Sequence, residues 1–332
     1  MEQSSVCVVD GAGRIVRETK VASEPEALIR FFGDLEIEVT RIGLEAVPLS
    51  QWLHAGLVAA GFEVVLLETR HVKAALSAMV NKTDGKDARG IAQLLRIRWF
   101  RPVHAKSPGA QEVRALLVAR KLLQSKLLDV EFSIRGILRG FGLKMGKASK
   151  GQFVARVREL ALGHPMLELI TEPMLRAREA LRTEYARLHG EMLAIAKPDP
   201  VCRRLMTAPG VGALVAITFK STVDDPGRFT RSRVLGAYFG LTPKKYQSGE
   251  RDVTGAISRV GDPMVRVVLY EAANIMLSRV MRFSSLKRWA LDVAKRRGLK
   301  RAKVALARKL ATVLHRMWID GTTFHWGKQA VV

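Results

Sequence analysis

Three carboxylates, Glu45, Asp84 and Asp87, and the hydroxyl of Ser248 are the candidate reactive groups of this chain. Glu45 closes the apolar run of RIGLEAVPLSQWL, and the C-terminal ends of strands are where α/β sheets place functional groups. Asp84 and Asp87 stand three apart in NKTDGKDARGIAQLL. On a helix starting near Asp84 that spacing puts both on one face. Lys82, Lys86 and Arg89 surround them. Carboxylates among cations suit a Mg²⁺ site acting on a phosphodiester, where metal neutralises phosphate oxygens and cations hold the strand. A plainer reading stands beside this one: DxxD is common, and Asp at a helix start is an ordinary cap. Ser248 lies in Lys244-Lys245-Tyr246-Gln247-Ser248-Gly249. A Ser-Gly in a basic loop is most simply a turn or a phosphate contact. A nucleophilic serine needs a base or a metal to activate it, and no histidine is near in sequence.

Periodicity predicts the strands and helices around these groups. Ser5–Asp10 reads as a short strand before a Gly-Ala-Gly turn, and Arg14–Val21 alternates and pairs back as a hairpin. Asp10 is then a turn residue. Ser23 is placed to cap a helix over Glu24 to Phe32. Val39–Glu45 and Phe62–Leu67 read as strands, with a helix over Ser50–Gly61 between them. Strands alternating with helices after a hairpin predict one mixed sheet flanked by helices.

Beyond Gln111 the period changes. Val113, Leu116, Leu123, Leu127, Val130, Ile134 and Ile137 step by threes and fours, with Arg120 interrupting one position. Met174, Leu181, Tyr185, Leu188, Met192 and Ile195 make a second stripe. Two helices packed as an antiparallel hairpin satisfy this pattern, and so does a coiled coil that also dimerises. Lys197-Pro198-Asp199-Pro200 reads as a linker. After it, Pro-Gly-Val-Gly in LMTAPGVGALVA resembles the turn of a helix–hairpin–helix element. The glycines there, Gly210 and Gly212, would let backbone N–H groups approach a phosphate; an ordinary helix–helix turn is the alternative.

Charge points to the partner. The 332-residue chain carries a formal net charge of +24, and a surface this basic binds polyphosphate unless something neutralises it. From Arg279 to Lys309 there are twelve Lys or Arg against one acid, Asp292, too lopsided for mixed surface pairs and suited to phosphate contact. Cys7 and Cys202 are far apart without CxxC spacing, which argues against a disulfide framework or a cysteine zinc site. No apolar run reaches the ~20 residues of a membrane span, and MEQSSVCVVDG is not a signal peptide. A cytoplasmic protein without a membrane partner is expected.

GLEAVPLSQWL, NKTDGKDARGIAQLL, APGVG and GLTPKKYQSG, followed by ISRVGDPMVRVVLYEAA, together resemble the DEDD transposases of insertion sequences, the bridge-RNA-guided recombinases. The likeness runs from Ser5 to about Trp318. It implies a RuvC-like (RNase H-type) α/β domain over 1–105, a helical coiled-coil region over 106–198, and a mainly α C-terminal transposase domain over 199–332. By matching motifs, Glu45, Asp84 and Asp87 are implied to be catalytic metal ligands for Mg²⁺. Ser248 is implied to be the nucleophile, with Ser258 as a weaker alternative. Lys82, Lys86, Arg89, Gly210, Gly212, Lys244, Lys245 and Arg259 are the candidate nucleic-acid contacts. The implied chemistry is DNA cleavage and exchange through a covalent phosphoserine. The implied partners are the element ends, target DNA, a structured guide RNA and further copies of the chain, as a dimer or tetramer.

One departure from the family pattern bears on activity. The family's first Asp lies on a first strand that precedes SVCVVD, and the chain begins at Met1. The expectation is a sheet lacking its central strand, with exposed edges, and a metal site one ligand short. Two other readings compete with recombination: a junction nuclease using metal-activated water, and a nucleic-acid-binding remnant without cleavage activity.

Overall fold

The computed structural model describes residues 2–78, 81–149 and 151–327. The chain forms two compact units, Met1–Lys106 and Ser107–Val332.

The first unit is mixed α/β. Strands β1 (Gln3–Val9) and β2 (Ile15–Ala22) form the expected antiparallel hairpin, from Gln3↔Ala22 to Val8↔Arg17. Asp10 closes its turn by accepting the Arg14 N–H at 2.8 Å. Helix α1 (Pro25–Gly33) begins later than predicted. Pro25, with its φ preset for the first helical position, makes Glu24 the cap residue and leaves the Ser23 hydroxyl to bond Ser4 Oγ at 2.8 Å. Then come β3 (Ile42–Glu45), α2 (Ser50–Ala59), β4 (Val64–Leu67), α3 (Thr69–Ala75), α4 (Asp84–Arg96) and β5 (Pro102–Val103).

The strands do not form the one sheet expected. β3 pairs with β4 in parallel and β4 with β5 antiparallel, while β1 pairs only with β2. The facing edges of β1 and β3 line one groove of about 420 Å³, floored by Ile91, Ala92 and Leu95 of α4. Alternation identifies strands but not their neighbours, which is why the split is invisible in sequence. Leu28, Phe32, Ile42, Leu53 and Leu57 make one core cluster, and Leu67, Val72 and Leu94 a second.

The second unit is helical apart from one hairpin. Its long helices are α5 (Pro108–Gly140) and α7 (Pro165–Ala196), with α6 (Phe153–Ala161) between them. Leu117 packs in the same cluster as Met192, whereas Ile134 and Leu138 pack with Leu167 and Leu175. Early α5 therefore meets late α7, which makes the two helices an antiparallel hairpin. Arg120, the odd residue of the first stripe, is buried in it, donating to His189 Nδ1 at 3.0 Å and Tyr185 Oη at 2.7 Å.

The presumed linker is a tight turn within this unit. Asp199 caps α8 (Pro200–Leu205) by accepting the Cys202 N–H at 2.8 Å and also pairs with Lys220. Helix α9 (Ala213–Val223) is almost wholly buried, and α10 (Leu235–Tyr238) leads to strands β6 (Pro243–Ser248) and β7 (Arg251–Ile257). Helices α11 (Pro263–Ser278), α12 (Ser285–Arg297) and α13 (Leu299–Ile319) complete the core through Leu269, Ala273, Ala290, Leu306, Leu310 and Leu314.

Candidate functional site

Glu45 is the last residue of β3, half-buried, opposite Leu67 of β4. The Thr69 hydroxyl, at the start of α3, donates to the Ala46 carbonyl at 3.0 Å and so ties the two strand ends together. Helix α4 approaches the same end. Its cap is Thr83, whose hydroxyl accepts the Lys86 N–H at 3.3 Å, so neither Asp84 nor Asp87 is spent on capping. Both stand in the first turn, where the helix N-terminus favours negative charge.

The structure brings Glu45 and Asp87 together. Burial pushes the Glu45 carboxyl above its ordinary range, and the like charge of Asp87 pushes the same way; Lys82 and a hydrogen bond with Thr69 pull less strongly downward. Lys82 Nζ lies 3.6 Å from Asp87 Oδ2. Asp84 is exposed and is not among the charges acting on Glu45. Among the described residues no group of three or more His, Cys, Asp or Glu side chains gathers as a metal cluster. Arg89 faces elsewhere: its guanidinium pairs with Glu18 of β2, with Nη2 2.6 Å from Oε2. Its charge is thus already matched within the fold, a partnership across 71 residues that sequence could not disclose.

The remaining expected residues lie in the second unit. Ser248 ends β6 and opposes Arg251 across the two-residue turn Gly249-Glu250. It is exposed, as are Lys244 and Lys245. Lys245 Nζ lies 2.9 Å from Asp252 Oδ2. Ser258 sits at the base of this hairpin, where its N–H donates to the Thr242 carbonyl at 2.8 Å and its hydroxyl accepts the Val260 N–H at 3.5 Å. Arg259 is exposed, with a left-handed φ of 57°. That strained base is held by Arg266, whose Nη1 donates to the carbonyls of Phe239, Val260 and Gly261 at 2.9–3.2 Å. Sequence reasoning missed Arg266, because an arginine inside an apolar helix carries no signal of the carbonyls it will meet.

Gly210 answers to packing. At φ 79° a Cβ there would come 2.3 Å from the Ala272 carbonyl oxygen of α11. Its glycine identity is thus fixed by the contact of this turn with α11, independently of any phosphate. Gly212 is the exposed cap residue of α9 with open space around it. The basic run also divides. Lys287 is buried and donates to the Val280 carbonyl, Arg282 lies over Trp326 and Lys309 over Trp289. Lys295, Arg296, Arg297, Lys300 and Arg301, at the corner between α12 and α13, are exposed.

The sequence that builds this mixed α/β unit and the basic helical unit after it is similar to those of known proteins. A transposase family model of the DEDD type associated with IS110 matches residues 1–142, and the model of the transposase IS116/IS110/IS902 family matches residues 202–289. The transposase for insertion sequence element IS1111A of Coxiella burnetii is 30% identical over 97% of this chain and 88% of its own length. A putative transposase of Sinorhizobium fredii is 27% identical, over 90% of this chain and 77% of its own. A probable family 20 transposase of Pseudomonas aeruginosa is 26% identical, over 82% of each. The chain belongs to the IS116/IS110/IS902 family of insertion-sequence transposases. No described helix is long and apolar enough to cross a membrane.

Proposed function

We propose that the chain cuts and rejoins DNA strands at the ends of its insertion sequence and at the target, using carboxylate-bound Mg²⁺ and Ser248 as nucleophile. The observation that carries this reading is the half-buried Glu45 carboxylate at the end of β3, whose ionisation is disfavoured by burial first and by the charge of Asp87 beside it second. A bound cation would relieve that opposition. The donors are all oxygen, and Mg²⁺ is commonly held by one or two carboxylates, its remaining positions filled by water and phosphate. Glu45 and Asp87 would hold the metal, with Asp84 one helical turn away. When bound, the metal would neutralise phosphate oxygens.

The protein's own part is to bind and place the strand. Ser248 Oγ loses its proton and bonds to phosphorus. The bond from phosphorus to the departing strand end breaks, and the released oxygen takes up a proton. The phosphoserine conserves bond energy for rejoining, so no external energy source is required. Exposed Lys82, Lys244, Lys245 and Arg259, with half-buried Lys86, hold phosphates, and a structured RNA encoded by the element selects the sequences by base pairing. The surplus of +24 charges supports two polyanionic partners. The working form is an oligomer of the chain.

The test is covalent trapping on DNA carrying the element's ends with its RNA, in Mg²⁺ and in EDTA. The wild-type chain gives a protein–DNA adduct only with Mg²⁺, and Ser248→Ala gives none while retaining DNA binding. An adduct that persists in Ser248→Ala removes the serine from the reaction. Salt-dependent binding without any wild-type adduct would make the chain a binding protein.

A further inference from the structure

The pairing register of the β6–β7 hairpin sorts its side chains onto two faces. Directly opposed residues of an antiparallel pair share a face, and neighbours along a strand alternate. Ser248 opposes Arg251 and Tyr246 opposes Val253; Gln247 opposes Asp252 and Lys245 opposes Thr254. One face therefore carries Ser248, Arg251, Tyr246 and Val253. The other carries Lys245, Gln247, Asp252 and Thr254, with its own Lys245–Asp252 ion pair.

The serine face is built differently from a solvated surface. It holds no acid, and no ion pair engages Arg251 among the described residues. Tyr246 is 58% exposed and Val253 43%. Gly255 follows on the same face, and a Cβ there would come 3.3 Å from Tyr246 Cε2. The glycine lets the ring lie across the partner strand, presenting an aromatic surface to solvent beside a cation and a hydroxyl. Both strands are exposed almost throughout, so no core of the protein needs these side chains.

We infer that this face seats one nucleotide of the DNA strand being cut, its phosphate on Arg251 and its base stacked on Tyr246. The inference rests on Ser248 as the nucleophile. Arg251 is directly opposed to it, with Cβ atoms about 5 Å apart by strand geometry, so one phosphate is within reach of both. A guanidinium fork matches phosphate oxygens two at a time. Tyr246 stands two residues along the strand, about 7 Å away, where the base attached to that phosphate would fall. Stacking is tolerant of sequence because every base has a π-face, which suits an enzyme whose sequence choice is made by a guide. Tyr246 and Arg251 are positioning residues: they set the phosphate against Ser248 Oγ.

The experiment measures binding of the full chain to single-stranded oligo(dT) by fluorescence anisotropy across a salt series, alongside the trapping assay. Tyr246→Ala is expected to weaken binding about five-fold or more, the lower end of what one stacked base contributes. Tyr246→Phe, which keeps the ring, restores it. Arg251→Gln flattens the slope of log affinity against log salt by about 0.7, one phosphate contact on a single strand. Gln247→Ala, on the opposite face, changes neither, and thermal melting shows that all four variants fold. Wild-type affinity in Tyr246→Ala, or an equal loss in Gln247→Ala, overturns the seat. If oligonucleotide binding depends on Tyr246 but no wild-type adduct forms, the seat stands and the serine reading falls. If Tyr246→Ala binds and forms adduct like wild type, the seat falls and the serine stands.

Discussion

Replacing Gly210 by Ala separates two explanations of the Pro-Gly-Val-Gly turn. A methyl at this position meets two penalties. The backbone at φ 79° lies in the left-handed region, which costs a non-glycine residue about 1–2 kcal/mol. The new Cβ would also stand 2.3 Å from the Ala272 carbonyl oxygen, with Met276 N 3.3 Å away. Relieving that clash means separating the turn from α11, a displacement of the kind that costs roughly 1–3 kcal/mol in a packed interior. The total is about 2–5 kcal/mol, which lowers the melting temperature of a unit this size by roughly 5–15 °C. Differential scanning calorimetry of the full chain reads it directly. Gly212→Ala is the internal control: its φ is −97° and its surroundings are open, so losing glycine at this cap shifts the melt far less. A Gly210→Ala protein that melts with wild type while losing DNA affinity would refute the packing argument and return the glycine to phosphate contact.

Other outcomes follow from the same geometry. Burial alone would raise the Asp199 carboxyl, but the Lys220 ammonium and the Cys202 N–H outweigh it and hold the group below the usual carboxylate range. A depressed carboxylate stabilises the fold above its unfolded value near 4 and loses that stabilisation as pH falls through the folded value. Asp199→Asn should therefore flatten the acid limb of stability in urea unfolding measured from neutral pH downward. Arg178, with its side chain 2% exposed, holds Glu131 at 2.7 Å. Arg178→Ala strands that carboxylate and should destabilise the helical hairpin by about 3–5 kcal/mol, visible as a lower denaturant midpoint.

Sequence disclosed the local parts of this fold better than their partnerships. The β1–β2 hairpin was legible because alternation and a Gly-Ala-Gly turn are written within twenty residues, and Glu45 because an apolar run ends on it. The start of α4 was legible, but its cap proved to be Thr83, which leaves both aspartates unspent. Two readings failed for lack of long-range information. The strands of the first unit form two sheets instead of one, since periodicity names no neighbours. Lys197–Pro200 looked like a linker because proline breaks helices in domain boundaries and tight turns alike. The pairing of Arg89 with Glu18 was also hidden, because the two are distant in the chain. Tyr246 and Arg251 went unnoticed because their significance lies in sharing a face with Ser248, and that depends on register.

Arg266 fixes the root of the β6–β7 ribbon with three bonds, while the strands above it touch little else. In mutational terms the two parts answer to different masters. The root is constrained by folding, so most changes at Phe239, Gly240, Val260 or Gly261 should be lost as unfolded protein. The ribbon is free of that constraint, and whatever restriction a saturation library finds at its residues must come from the molecule it touches. A map of tolerated residues along 244–254 would therefore be a portrait of the substrate, drawn by the side chains allowed to meet it.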